Sequence, residues 1–87
     1  MTMTPSDILT PRLRLRAMGA EFLAASADGR DIDELSSLIG LKVATAWLRE
    51  ADLAALRLHD VTTDPASLPW SVRALALRGS GEMVGHA

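Results

Sequence analysis

The last nineteen residues, Pro69-Trp-Ser-Val-Arg-Ala-Leu-Ala-Leu-Arg-Gly-Ser-Gly-Glu-Met-Val-Gly-His-Ala87, constrain the fold of this chain more than any other stretch. Residues 70 to 78 alternate aliphatic or small side chains with Ser71 and Arg73 in a half-buried strand pattern. Gly79-Ser80-Gly81 then offers the positive φ that a tight turn needs, and Met83-Val84 restarts the apolar run. The pattern predicts a β-hairpin. Three residues later the sequence stops inside a strand, and a last strand without turn, cap or polar tail leaves its ladder groups and apolar face unpartnered. The chain is therefore expected to be the front part of something longer, cut in its third strand.

Size points the same way. Eighty-seven residues bury only about 60–65% of the surface that the unfolded chain exposes. The hydrophobic fraction of 48% leans on Ala and Leu, with one Phe, two Trp and no Tyr, so aliphatic contacts must carry the core. With no cysteine there is no disulfide framework, thiolate nucleophile or cysteine-held metal, which fits a reducing cytoplasm. The opening residues lack the basic and apolar regions of an export signal, and no run approaches the roughly 20 apolar residues of a membrane span. A net charge of −2 with interspersed signs gives no global field for nucleic acid or anionic membrane. The excess of Arg over Lys hints at a GC-rich bacterial coding sequence.

Along the chain, residues 1–7 are polar and predicted to be a disordered terminus, with the folded part spanning 8–87. From Pro11, Arg12, Arg14 and Arg16 alternate with Leu13, Leu15 and Ala17, the period of a strand. The arginine row reads either as a phosphate-binding stripe or as the solvated face of an edge strand. No aromatic side chains interleave to stack bases, which favours the second. Glu21 to Ala27 predicts a short helix closed by Asp28-Gly29. Asp31 with Glu34 predicts a capping box for a second helix whose stripe is Ile32, Leu35, Leu38 and Ile39, ended by Gly40. Leu41 to Ala44 runs extended. Thr45 is expected to cap a third helix with Trp47 or Leu48, Ala51, Ala55, Leu58 and Val61 inward, ended by Asp64-Pro65, and Pro69 re-enters the sheet. The order is strand, helix, helix, helix, strand, turn, strand. The helical connection is either a crossover or a long antiparallel return, and periodicity leaves both open. With the hairpin, residues 70–78 are expected to pair antiparallel with Met83 onward and, along their other edge, with the Leu13/Leu15 strand.

Several of these segments resemble the GNAT superfamily of acetyl-CoA-dependent N-acetyltransferases, in particular the bacterial branch similar to ribosomal-protein alanine acetyltransferases. Leu9-Thr-Pro-Arg-Leu-Arg-Leu-Arg16 looks like that branch's first strand, written Thr-x-Arg-Leu-x-Leu-Arg. Leu68-Pro-Trp-Ser-Val-Arg-Ala74 and Gly81-Glu-Met-Val-Gly-His86 resemble its second and third strands, and Leu38-Ile-Gly-Leu41 with Trp47 matches more loosely the helical insert of one subgroup. The resemblance implies an α/β fold of mixed type, here the incomplete N-terminal β-α-α-α-β-β portion of an acyl-CoA N-acyltransferase. It implies acetyl-CoA as cosubstrate, bound on later strands by a loop of the form Arg/Gln-x-x-Gly-x-Gly/Ala, and an amine acceptor. The window Arg78-Gly-Ser-Gly81-Glu-Met83 departs from that loop at its sixth position and joins strand to strand, so it reads as a hairpin turn without a helix N-terminus to hold phosphate. No catalytic or cofactor-binding residue carries over. The early helices of the family form one wall of the acceptor groove, which makes Leu41, Val43 and Trp47 the acceptor-side candidates.

Other residues read more plainly. His59 and His86 are 27 positions apart without a third ligand at metal spacing, so both are surface or packing side chains and no metal site is expected. Glu82 reads as a solvated turn carboxylate. No serine sits in a Gly-x-Ser-x-Gly elbow. Trp47 and Trp70 are both expected as core anchors. The rival to an acetyltransferase segment is a non-catalytic module that pairs, with itself or another chain, through its open strand edge; an unrelated small α+β domain is a third reading.

Overall fold

A computed structural model describes residues 6–87. Four strands, β1 (Ile8–Leu9), β2 (Leu13–Ala17), β3 (Arg73–Leu77) and β4 (Met83–His86), form one sheet in the order β1-β2-β3-β4, every pair antiparallel. The fold is mixed α/β, and the helical connection between β2 and β3 is the long antiparallel return. The hairpin lies where the glycines predict it: Gly81 has φ 73°, its N–H donates to the Leu77 carbonyl at 2.8 Å, and the Leu77 N–H donates to the Glu82 carbonyl. Leu75 opposes Gly85 while Ala76 opposes Met83, so Val84 is the extra residue of a bulge. β1, two residues long, is too short to carry an alternation that sequence could show. Thr10-Pro11 turns the chain between β1 and β2, with the Leu13 N–H donating to Thr10 Oγ1 at 2.9 Å and the Thr10 N–H to the Leu13 carbonyl.

β3 begins at Arg73, three residues later than the alternation suggests. Pro65–Trp70 coils instead into a 3-10 segment, tightened by bonds from the Ser67 N–H to the Asp64 carbonyl and from the Ser71 N–H to the Leu68 carbonyl. Pro65 and Pro69 fix φ near the helical value and give the ladder no N–H, which is why Pro69 does not re-enter the sheet. Trp70 ends this coil 88% exposed and anchors no core.

The expected faces of β2 are inverted. Arg14 and Arg16 stand opposite Ala76 and Ala74, both inaccessible and packed with the helices in one core, whereas Leu13 and Leu15 stand opposite Leu77 and Leu75, outside it. β2 is also an interior strand, with β1 along its second edge. A period-2 pattern marks two faces without saying which is covered. Alanines on β3 leave room for helices to approach, and Arg16 has partners there: its Nη1 donates to the Ile39 and Gly40 carbonyls at 3.0 and 3.4 Å, covering the C-terminus of the second helix.

Helix α1 (Ala20–Ala27) ends at Asp28, with Gly29 at φ 75°. Helix α2 (Ile32–Ile39) begins with Asp31 Oδ1 accepting from the Glu34 N–H at 2.9 Å and stops at Gly40, φ 72°. Glu34 completes no capping box; its carboxylate lies 3.6 Å from Arg30. Leu35 and Ile39 are buried, but Leu38 faces outward. The third helix is two pieces, a 3-10 segment Thr45–Arg49 and α3 (Ala51–Thr63), broken at Glu50, and Thr45 caps no α-helix. The break frees the phase of Trp47 from that of α3, whose inward stripe runs through Ala54, Leu58 and Val61 instead of Ala55. Trp47 is sealed in the centre, stacked on Phe22 at 5.9 Å, its Nε1–H donating to Ser26 Oγ, whose hydroxyl donates to the Phe22 carbonyl. α1 packs chiefly on α3. Among the described residues no helix is long and apolar enough to cross a membrane.

Candidate functional site

Where α3 gives way to the Pro65–Trp70 coil and both run past the ends of β3 and β4, the chain leaves a cleft of about 730 Å³. Its placement follows from the prolines. Pro65 stops α3, so that His59, Asp60 and Asp64 at its end line the cleft together with Ser67, Trp70 and Ser71 of the coil and His86 of β4. Two features of the lining are unusual for a surface that has only water to satisfy. Trp70 presents almost its whole indole to solvent. The hydroxyl oxygens of Ser67 and Ser71 are shut from solvent and have no hydrogen-bond partner among the described residues. The charges are unequal. Arg57 is matched by Asp60 at 3.1 Å, whereas Asp64 has no cation within ion-pair distance among the described residues.

His59 and His86 thus meet in one cleft despite their separation in sequence. His86 packs edge-on to Trp47, ring centroids 5.0 Å apart, and serves as the packing residue that the sequence suggested. No group of three or more His, Cys, Asp or Glu among the described residues is arranged to hold a metal.

The acceptor-side candidates lie elsewhere. Leu41, Val43 and Trp47 are buried in the core and line neither this cleft nor the smaller one beside the start of α1. Lys42, between the first two, holds the segment in place: its N–H donates to the Gly81 carbonyl and its carbonyl accepts from the Met83 N–H, while the Val43 N–H donates to Ser36 Oγ. Glu82 is exposed beside the turn, and the Arg78–Met83 window connects strand to strand.

The smaller cleft, about 440 Å³, is bordered by Asp7 and Arg16. Residues 1–5 of the expected disordered terminus lie outside the described residues. Ser6 and Asp7 are engaged: the Ser6 carbonyl accepts from Arg73 Nη1, and the Asp7 carboxylate accepts from Arg16 Nε and Nη2, the latter at 2.9 Å. The Arg16 hydrogen bonds hold the Asp7 carboxyl below its ordinary value against the opposing effect of burial, with added attraction from Arg16, Arg14 and Arg73; Asp7 in turn raises the Arg16 guanidinium. With both guanidinium edges occupied, Arg16 is a structural clasp and not an open anion site. Sequence reasoning missed this pair because Asp7 sits in an unpatterned stretch and meets Arg16 only across the β1–β2 turn.

No protein-family model, no curated protein and no solved structure matches this chain.

Proposed function

We propose that the chain is the N-terminal part of a GNAT-type N-acetyltransferase, whose complete form moves an acetyl group from acetyl-CoA to a primary amine. In that reaction the amine nitrogen attacks the thioester carbonyl, the C–S bond breaks, the sulfur leaves as thiol after taking up a proton, and an amide forms. The observation that carries the reading is topological. The Thr10–Arg16 motif runs into β2, β2 pairs antiparallel with β3 after a helical return, and β3 continues through a glycine turn into β4, the order that the resemblance implies. The residues of this segment then supply scaffold. Arg16 and Arg73 lock the N-terminal strand to the sheet, and the core around Trp47, Leu41 and Val43 backs the acceptor side, while the pyrophosphate loop and the proton-transferring groups belong to sequence beyond Ala87.

Calorimetric titration with acetyl-CoA tests this. The 87-residue chain is expected to give no saturable heat, and a chain extended by the downstream coding sequence to bind one equivalent and release thiol when an amine is added. A downstream sequence lacking Arg/Gln-x-x-Gly-x-Gly/Ala, or one-to-one binding by the short chain, would overturn it.

A second reading, an interaction module, draws on the outer edge of β4, which among the described residues is paired only at Glu82, by Lys42, with Val84 56% exposed beside it. It requires concentration-dependent association that Val84→Lys abolishes, and a monomer at all concentrations would sink it.

A further inference from the structure

We infer that the cleft between α3 and the Pro65–Trp70 coil binds a small organic cation, an alkylammonium, through Asp64 and the face of Trp70. Two independent features of one cleft converge on this ligand. Among the charged Asp, Glu, Lys and Arg side chains that line it, the one without a counter-charge among the described residues is negative: Arg57 and Asp60 neutralise one another, and Asp64 is left over. Trp70, at 88% exposure, offers the strongest of the aromatic faces to a cation, and no cation among the described residues covers it. An ammonium carries N–H donors that the Asp64 carboxylate accepts. An anion would meet Asp60 and Asp64. A neutral polyol could stack on Trp70, but it would leave the charge of Asp64 unanswered. His59 and His86 also line the cleft.

The site does not depend on acetyl transfer. It is a binding property of these residues whether or not the chain belongs to an enzyme, so its test needs no acetyl-CoA, and either proposal can fail alone.

The chain carries its own reporters, because Trp47 is sealed in the core and Trp70 is in solvent. At pH 8 and low salt, titration of the 87-residue chain with n-butylammonium chloride is expected to perturb the emission of the exposed tryptophan saturably and to shield it from iodide, leaving the buried component unchanged. Asp64→Asn should weaken binding roughly fivefold or more, Trp70→Leu should weaken it similarly by calorimetry, and salt should compete. Butanol and glucose are the neutral controls. An equal response to either control, an unaltered affinity in Asp64→Asn, or no saturation with butylammonium overturns the inference. Loss of the shielded Trp47 emission in the unliganded chain overturns it too, since the cleft requires that core.

Discussion

Arg16 carries more of this fold than its place in a row of three arginines suggests. One edge of its guanidinium grips Asp7 with paired hydrogen bonds, and Nη1 reaches the last carbonyls of α2, so one side chain joins the N-terminal strand to a helix end. Arg16→Met should cost about 2 kcal/mol in urea unfolding, since it strands both the half-buried carboxylate and the helix terminus. Asp7→Asn should cost about 1 kcal/mol or less, the pair being partly solvated. Because the folded-state value of Asp7 is depressed, its contribution is complete above the unfolded-state value near 3.8 and disappears as pH falls through the lower folded value. Wild type and Asp7→Asn should therefore differ at pH 6 and converge towards pH 2; a gap that persists in acid would show that the carboxylate charge is not what matters. The core offers a second case. Ser26→Ala leaves the buried Trp47 N–H without its acceptor and should cost about 1–3 kcal/mol in the same assay. Neither partnership is legible from sequence, because Asp7 and Ser26 meet their partners only after the chain has folded. The buried role of Trp47 is legible from its type alone, yet the same reasoning fails for Trp70, which the Pro65/Pro69 coil carries outward.

Elements were most readable where local chemistry decides them. Asp31 and Gly40 bracket α2 by direct backbone effects, and the glycines of the β3–β4 turn do the same for the hairpin. They were least readable where tertiary packing decides. Nothing local tells Ala54 from Ala55, or the leucine face of β2 from the arginine face. The inverted sheet gives a clean test, since Ala74 and Ala76 are inaccessible while Leu15 and Leu75 are only half-buried. Ala74→Asp, Ala76→Asp and Leu35→Asp should each abolish cooperative unfolding, an unpaired buried carboxylate costing several kcal/mol against a small total stability. Leu15→Asp should be tolerated better. If Leu15→Asp proves as damaging as Ala76→Asp by near-ultraviolet circular dichroism, the helices cover the other face.

At the scale of the whole molecule, the two layers differ in charge as well as in kind. Arg12, Arg14, Arg16, Arg73 and Arg78 belong to the strand segments, opposed there by Asp7 and Glu82, while most of the acidic side chains lie in the helical layer. The radius of gyration of 12.0 Å is that of a compact chain of this length, and the helices pack on the Ala74/Ala76 side of the sheet. On the other side Leu13, Leu15, Leu75 and Leu77 form an aliphatic surface that none of the described helices covers, with Leu77 38% and Ile8 48% exposed. Folded chains with such a face bind apolar dyes and associate. The 87-residue chain should therefore bind anilinonaphthalene sulfonate in its folded state and sediment with rising mass as concentration increases. Leu77→Lys, at the exposed end of β3, should reduce both by a large fraction without lowering the urea midpoint by more than about 1 kcal/mol equivalent, because the side chain contributes little to the helical core. This result would also separate face from edge: Val84→Lys blocks strand addition along β4 but leaves the leucines bare, so dye binding that survives Val84→Lys and falls in Leu77→Lys locates the sticky surface on the sheet face. The opposite pattern would place it at the β4 edge and remove the face from consideration.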